Sequence, residues 1–545
     1  MHDVVFLHPP AFPDFRLRPR DFGPISDVIP SYPIFDTYPL GFASLLAYLE
    51  ERGFRARIIN IAARMILRRG YSILETIRKT KAKVYAIDLH WLCHLNGALY
   101  LAKLVKEFYG APVILGGISS TIFWRDLIKI PFIDFIMRGD TTEEPMYKLL
   151  EAIEDDKTDF GSIPNLVWKK DDRIVENEFN YVPETLEAID YSIFVRCAAR
   201  DGWLDYLPFA NYIKAPIVGI FTVKGCTMNC AACGGSAYTY RKYFNRKKLA
   251  LKRPEVIVEE MLSAGERIKA SIFFIGDLQQ TGKAKEILLK IREAGLDNSL
   301  IFEFFKTPSR ELLEYYRKAG DEVYLQISPE THDEKIRLLY GRPYTNDQLL
   351  KFLKNAVRMN FNRIDLYFMI GLPKQDFNSA KATGKFAGKL CSKKIDTFVA
   401  PLAPFIDPGS LAYEFPARYG YRILFRSLKK YSKALNEVVW YRMMNYESEY
   451  MDRKTIALAT YRASKILLRS KIEKDIISED MGQELIEKIE LREESLLDEK
   501  ANPGISRIVC DLRELYPSKQ FFLALRKKAI EDALLGFAYK IIKRV

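Results

Sequence analysis

A chain of 545 residues, 48% of them hydrophobic, is long enough to bury two or three cores and reads as a multidomain globular protein. No run of about eighteen uncharged apolar residues occurs, so no segment is expected to span a bilayer and any membrane contact is peripheral. The formal charge of +13 suits an acidic partner such as nucleic acid, phospholipid headgroups or a phosphorylated substrate, although lysine and arginine enrichment of a thermophilic or archaeal kind gives the same balance.

Residues 1 to about 150 alternate short apolar runs with helical stretches. Strands are predicted at 4–7, 56–61, 84–89, 113–115 and 135–137, with a helix at 40–52 that closes at Gly53. This order predicts a doubly wound, Rossmann-like domain, whose ligand lies beyond the strand C-termini. Those ends carry Pro9-Pro10, Asp88-Leu89-His90-Trp91, Gly116-Gly117-Ile118-Ser119 and Arg138-Gly139-Asp140. Small residues there let a large cofactor approach the backbone. Residues 151–215 read as a linker, with acidic and proline punctuation and a hairpin near Lys170 to Arg173.

The apolar run 216–223 then leads into Lys-Gly-Cys-Thr-Met-Asn-Cys-Ala-Ala-Cys-Gly-Gly-Ser, which holds Cys226, Cys230 and Cys233. Three thiolates spaced by three and then two residues can converge on one 4Fe-4S cluster and leave its fourth iron without a protein ligand. They sit at the C-terminal end of a buried strand, where barrel active sites lie. A structural zinc site wants four ligands from paired short spacings, whereas Cys93, Cys197, Cys391 and Cys510 are isolated. Seven is an odd count for disulfides, and the chain begins directly with a strand and no secretory signal, so a reducing cytosol is expected.

This spacing, with a strand before it and alternating strands and helices after it, resembles the radical S-adenosylmethionine (SAM) enzymes. In that family the open iron binds the amino and carboxylate groups of SAM. An electron from the cluster then yields a 5'-deoxyadenosyl radical that abstracts hydrogen from unactivated carbon. The family's usual aromatic residue before the third cysteine is here Ala232, so packing above the cluster must come from elsewhere.

Further strands predicted at 270–275, 300–305, 322–327, 363–369 and 395–400 make six with the first, matching the family's partial (β/α)6 TIM-type barrel over 216–410. What the resemblance implies for the strand ends is specific. Gly276-Asp277 stands where the SAM amino group is held; Ser328 and Glu330 stand near the ribose and carboxylate, followed by Arg342, whose planar fork suits a carboxylate. Gly371, in Gly-Leu-Pro, matches the turn beside the adenine. The loop from Ala400 to Gly409 is read as an apolar barrel rim that could line a substrate channel.

Residues 411–545 are predicted to be mostly helical. A basic amphipathic helix from about Phe521 could lie on an anionic membrane surface or dock on the barrel.

The first domain in turn resembles the cobalamin (B12)-binding domain that precedes the barrel in one large branch of radical SAM enzymes. Asp88, His90, Gly116, Gly117, Ser119 and Gly139 are its candidate cofactor-binding residues. Asp88-x-His90 matches the start of an Asp-x-His-x-x-Gly motif, in which the histidine ligates cobalt, but Cys93 replaces the glycine, so His90 is equally a supporting or packing residue.

The resemblance thus implies an α/β enzyme with a 4Fe-4S cluster, SAM and cobalamin, and a reducing electron donor. The leading expectation is carbon-carbon bond formation on an apolar or lipid substrate, as in the archaeal tetraether-lipid ring synthases of this branch. Cobalamin-dependent C-methylation is the alternative, and a non-catalytic cobalamin- or lipid-binding scaffold with a structural cluster is the reading from another class. No nucleic-acid motif is evident, so nucleic acid is not favoured as a partner. The expected location is cytoplasmic, with peripheral membrane contact allowed.

Overall fold

A computed structural model describes residues 1–16, 21, 34–68, 70–171, 173–402 and 404–497. The basic stretch from Phe521 therefore lies outside the described residues. Among those described, no helix is long and apolar enough to cross a membrane.

The first sheet is built from β1 (His2–His8), β2 (Ala56–Asn60), β3 (Ala82–Asp88), β4 (Val113–Gly116), β5 (Phe135–Met137), β6 (Leu166–Lys170) and β7 (Arg173–Glu176). Their order is β2-β1-β3-β4-β5-β6-β7, parallel through β5 and antiparallel beyond it. The central strands are apolar on both faces because helices cover both, as a parallel sheet requires. Order reverses between β1 and β3, the switch point beyond whose strand ends sheets of this kind bind their ligands. The predicted hairpin near Lys170 forms, but as β6 and β7 it extends this sheet, so part of the segment read as a linker belongs to the first domain's fold.

Four strands follow the hairpin, β8 (Thr185–Leu186), β9 (Ile217–Phe221), β10 (Val223–Lys224) and β11 (Ala250–Lys252), of which β10-β11-β8 form a small sheet of their own. The second large sheet joins β9 to β12 (Ser271–Ile275), β13 (Leu300–Phe304), β14 (Val323–Glu330), β15 (Arg363–Ile370) and β16 (Ile395–Pro401). All its pairings are parallel, in the order β16-β15-β14-β13-β12-β9. β16 and β9 do not pair, so the six strands make an open partial barrel, as expected.

Helices return each strand to the next, and some start on side-chain caps: Ser309 caps Arg310–Lys318, and Thr345 forms a capping box with Gln348 on Asn346–Arg358. The region after 410 is mainly helical. Its longest helix, Arg453–Glu473, packs on Phe377–Leu390 and buries Ile456, Ala459, Ala463 and Leu467. A two-stranded ribbon, β17 (Tyr421–Ile423) with β18 (Tyr446–Ser448), was not foreseen in a region read as helical.

Candidate active site

The cysteine loop leaves the barrel after β9 and β10. It is held on three sides by backbone bonds: Ala231 N donates to Tyr340 O at 2.6 Å, Ala412 N to Ala231 O at 2.7 Å, and Asp407 N to Ala232 O at 3.2 Å. Thr227 N donates to Gln280 Oε1 at 2.8 Å. The rim loop after β16 thus crosses the cysteine loop and clamps it, and Gly234 N donates to Asp407 Oδ2 at 2.8 Å. Ala232 is buried and belongs to the same large apolar cluster as Leu92 and Cys93 of the first domain and Phe405 and Ile406 of the rim.

The loop fits a cluster. Met228 N donates to Cys226 Sγ and Gly235 N to Cys233 Sγ, both at 3.3 Å, the amide-to-sulfur bonds that steady cluster thiolates. Burial pushes the Cys226 thiol up to about 11 and Cys233 higher, so it is the bound iron that holds them as thiolates. Among the described residues no three His, Cys, Asp or Glu side chains converge as ligands of a single metal ion. A zinc site needs that convergence; a cluster does not, since each thiolate binds its own iron. Cys93, Cys197 and Cys391 are buried on other elements, and Cys510 lies outside the described residues.

Beside the cysteines the barrel mouth collects charge. A bulge in β14 between Ile327 and Glu330, with Glu330 at φ +66°, turns the Glu330 carboxylate inward. Its Oε1 accepts from Arg342 Nε at 2.8 Å, and its Oε2 is buried without a partner. Burial raises its pKa against the opposing pull of Arg342. The two terminal nitrogens of Arg342 make no hydrogen bond among the described residues, and its guanidinium lies 5.3 Å from the Phe305 ring. A planar fork held by one nitrogen and open at two can receive a carboxylate.

Asp277 does not offer a free acid. Its oxygens accept from Gln279 N at 2.9 Å, Gln279 Nε2 at 3.2 Å and Phe305 N at 2.9 Å, so the carboxylate caps a helical turn and ties down the end of β13. The open acid is Glu303, which sequence reasoning missed. Gly276 N donates to its Oε1, its other oxygen has no hydrogen bond among the described residues, and burial lifts it to about 7. The signal was present: a lone acid alternating with Phe302 and Phe304 in an otherwise apolar strand. Ser328 contributes its carbonyl to Tyr344 Oη at 2.8 Å. Gly371 faces the C-terminal region, with its N–H on Gln375 Oε1 at 2.8 Å and its carbonyl accepting from Tyr421 Oη at 2.8 Å.

The candidates on the first sheet do come together. Gly117, at φ +108°, lies so close to His90 that a Cβ would stand 2.7 Å from its N and Cα. Ser119 Oγ donates to His90 O at 3.0 Å, and Gly139 N to Thr121 Oγ1 at 3.0 Å. Nothing lies within 4 Å of a Cβ on Gly116, which leaves open space at the end of β4 for a flat cofactor.

Asp88 does not serve the His90 ring. Its Oδ2 pairs with His8 Nδ1 at 2.9 Å and its Oδ1 accepts His90 N at 2.7 Å. Burial opposes its ionisation, but the His8 contact outweighs this and holds it below the usual carboxylate range. His8 Nε2 and His94 Nε2 both point at Phe35 O, at 3.2 and 2.8 Å, and His94 Nδ1 is buried without a partner. The His90 ring makes no hydrogen bond among the described residues, and burial lowers its pKa, leaving a neutral imidazole.

An open partial barrel with three cysteines on its first loop follows a doubly wound domain with free space at the end of β4, an arrangement suited to a cluster in one domain and a flat cofactor in the other. Residues 220–387 match the Radical SAM superfamily and residues 32–146 the B12 binding domain, so the chain is a radical SAM enzyme with an N-terminal cobalamin-binding domain. The cofactors these domains imply are a 4Fe-4S cluster, SAM and cobalamin. By sequence the chain is similar to cytidylyl-2-hydroxyethylphosphonate methyltransferase of Streptomyces wedmorensis, 21% identical over 398 residues that cover 64% of this chain and 71% of that one. By structure it is similar to the radical SAM methyltransferase TsrM of Kitasatospora setae with cobalamin and a 4Fe-4S cluster bound, at TM-score 0.53, 15% identity and coverage of 73% of this chain and 75% of that one. OxsB, a cobalamin-dependent SAM radical enzyme with aqua-cobalamin and SAM bound, aligns at TM-score 0.53, 12% identity and coverage of 99% and 81%. At these identities the structural likeness speaks to the fold.

Proposed function

We propose that the protein is a cobalamin-dependent radical SAM methyltransferase that methylates an unactivated carbon of an apolar small molecule, driven by an external one-electron reductant. The observation that carries it is the junction of the two candidate cofactor sites: the loop after β5 is joined through the buried Asp140–Arg246 pair to the segment just beyond the cysteine loop, where Arg246 packs beneath Gly225, so the cobalamin and cluster sites would be neighbours. Two relatives whose names state an activity are methyltransferases, which supports this alternative over the leading expectation of ring formation in an archaeal isoprenoid lipid. Ring formation has no support among these relatives.

When bound, the cluster and SAM supply hydrogen abstraction and cobalamin supplies the methyl group. The chain's own residues bind and orient. Cys226, Cys230 and Cys233 hold the cluster; the open fork of Arg342 takes the SAM carboxylate; Glu303, ionised above its pKa of about 7, takes the SAM ammonium. Gly116, Gly117 and Gly139 let cobalamin approach the strand ends, and the apolar packing of Leu92, Phe405 and Ile406 excludes water between the sites.

Anaerobic reconstitution with iron, sulfide and hydroxocobalamin, followed by dithionite and methyl-labelled SAM, tests the reading. Methyl donation leaves S-adenosylhomocysteine and carries label to the cobalamin fraction. 5'-Deoxyadenosine formed without S-adenosylhomocysteine would eliminate methyl transfer and return ring closure to first place.

A further inference from the structure

We propose that Asp140 and Arg246, seconded by Glu143 and Lys224, form a latch that sets the cobalamin site in register with the cluster site. These are positioning residues for the two-cofactor reaction, and the inference rests on the reading given under Proposed function. Asp140 directly follows Gly139 at the end of β5, on the first domain. Arg246 lies beyond the cysteine loop, after the helix Ala237–Tyr243. Their contact is bidentate: Arg246 Nε to Asp140 Oδ2 at 2.5 Å and Nη2 to Oδ1 at 2.9 Å, with the arginine side chain 1% exposed and the aspartate 9%. Arg246 Nη1 also donates to Pro183 O at 2.8 Å, so the fork is fixed on both sides.

The arginine is built into the cysteine loop. A Cβ on Gly225, the residue before Cys226, would stand 2.9 Å from Arg246 Cδ, so the side chain lies directly beneath that backbone. A second pair lies alongside: Glu143, at the start of the helix after Asp140, faces Lys224 at 3.8 Å and is fixed by Ser44 Oγ at 2.6 Å. Two carboxylates from one four-residue stretch of the cobalamin domain, Asp140 to Glu143, therefore meet cations associated with the start of the cluster loop.

Two cofactors that act in turn on one carbon must hold a fixed separation, because about 1 Å of misplacement costs on the order of 10²-fold in rate. A buried bidentate arginine pair is a stiff connector for that purpose; a surface pair is not. Elsewhere the first sheet is held to the segment ahead of the barrel by contacts such as Arg57 with Asp205, at 2.5 Å, which touch neither cofactor loop.

The test uses the reconstituted holoenzyme and two variants, Asp140→Asn and Arg246→Lys, with Arg57→Lys as a comparison. Iron content, cobalamin content and Tm are measured first. Pulsed EPR then reads the magnetic interaction between cob(II)alamin and the dithionite-reduced cluster. Both latch variants are expected to weaken or broaden that interaction, and to lower methyl-label transfer at least tenfold while 5'-deoxyadenosine formation stays within about twofold. Arg57→Lys is expected to lower Tm and leave the spectrum unchanged. A latch variant with both cofactors loaded and a wild-type spectrum overturns the latch alone. If Asp140→Asn fails to load, Arg246→Lys, which keeps the charge and loses the fork, decides. A wild-type enzyme that binds no cobalamin overturns the two-cofactor reading and the latch together.

Discussion

Gly341→Ala tests whether the cysteine loop is held by the barrel in the way described. Gly341 ends the helix Glu334–Tyr340 at φ +116°, where an L side chain is strained by about 1–3 kcal/mol. A Cβ there would stand 2.8 Å from Asn229 O and 2.9 Å from Cys230 Cα, and both neighbours are backbone that cannot rotate away. Overpacking of this kind adds about 1–3 kcal/mol. The combined cost of about 2–6 kcal/mol falls on the segment that places Cys230, because relief requires either Gly341 or the cysteine loop to move and so breaks the Ala231–Tyr340 backbone bond. Gly295→Ala is the matched control: its φ of +63° is also left-handed, but nothing lies within 4 Å of the new methyl, so it costs only about 1 kcal/mol. Iron and sulfide per chain are measured after anaerobic reconstitution and again after a chelator challenge. Gly341→Ala is expected to lose iron at least about fivefold faster than Gly295→Ala, the lower bound set by a difference of about 1 kcal/mol between the two costs. Equal iron retention in the two variants would refute the account of the loop.

Replacing any one of Cys226, Cys230 and Cys233 by Ala should abolish 5'-deoxyadenosine formation and leave cobalamin binding intact, read by chromatography and by absorbance of the bound corrin. Glu303→Gln should weaken SAM binding at pH 8 and make it independent of pH. In the wild type, burial raises Glu303 to about 7, so the carboxylate that receives an ammonium forms as pH rises and SAM affinity rises with it; calorimetry at pH 6 and 8 reads the difference. The folding term has the opposite sign: the proton is held more tightly in the folded state, so this group's contribution is present below the unfolded carboxylate range and is lost as pH rises through about 7. Wild-type Tm should therefore fall relative to Glu303→Gln between pH 5 and 8. Arg342→Ala removes the SAM carboxylate partner and strands Glu330 in the interior at a cost of about 3–5 kcal/mol, whereas Arg342→Lys should keep the fold and still raise the KM for SAM about tenfold or more. His90→Ala should leave the EPR spectrum of bound cob(II)alamin unchanged, since Asp88 is committed to His8 and not to the His90 ring; loss of nitrogen coupling on substitution would establish His90 as the cobalt ligand.

What could be read from the sequence follows how local each signal is. The three cysteines, the strand runs and the small residues at strand ends depend on neighbours in the chain, and the open barrel and the doubly wound domain follow from them. Asp277 shows the limit: its place after β12 was visible, but three donors from nearby turns consume its carboxylate, and that depends on how β13 ends. Glu303 supplies the open acid in its stead from the next strand, a substitution across the sheet that no spacing reveals. The hairpin at Lys170 was legible as a hairpin and not as an extension of the first sheet, because pairing with β5 is a contact 33 residues distant, Phe135 to Trp168 in register. Asp140 appeared only as a strand-end residue, since its partner Arg246 lies 106 positions away.

Ala232 shows how the departure from the family pattern is absorbed. An alanine before the third cysteine leaves the loop without a large ring over it, and the rim after β16 comes down into that space. Asp407 binds the loop twice, through its backbone N–H to Ala232 O and its carboxylate to Gly234 N. The fit leaves little slack, since a Cβ on Gly234 would sit 3.0 Å from Asp407 Cβ. The rim is in turn fixed from the C-terminal region, where Asn445 Oδ1 accepts Ile406 N at 2.9 Å and Asn445 Nδ2 donates to Ile406 O at 3.0 Å. Burial lifts Asp407 to about 6 despite its hydrogen bond from Gly234, so its charge beside Cys233 is costly and is retained for the contacts it makes. The small residue, the deep rim loop and the buried acid are parts of one arrangement. It ties the C-terminal helices to the cluster loop on one side, as Asp140 and Arg246 tie the cobalamin domain to it on the other.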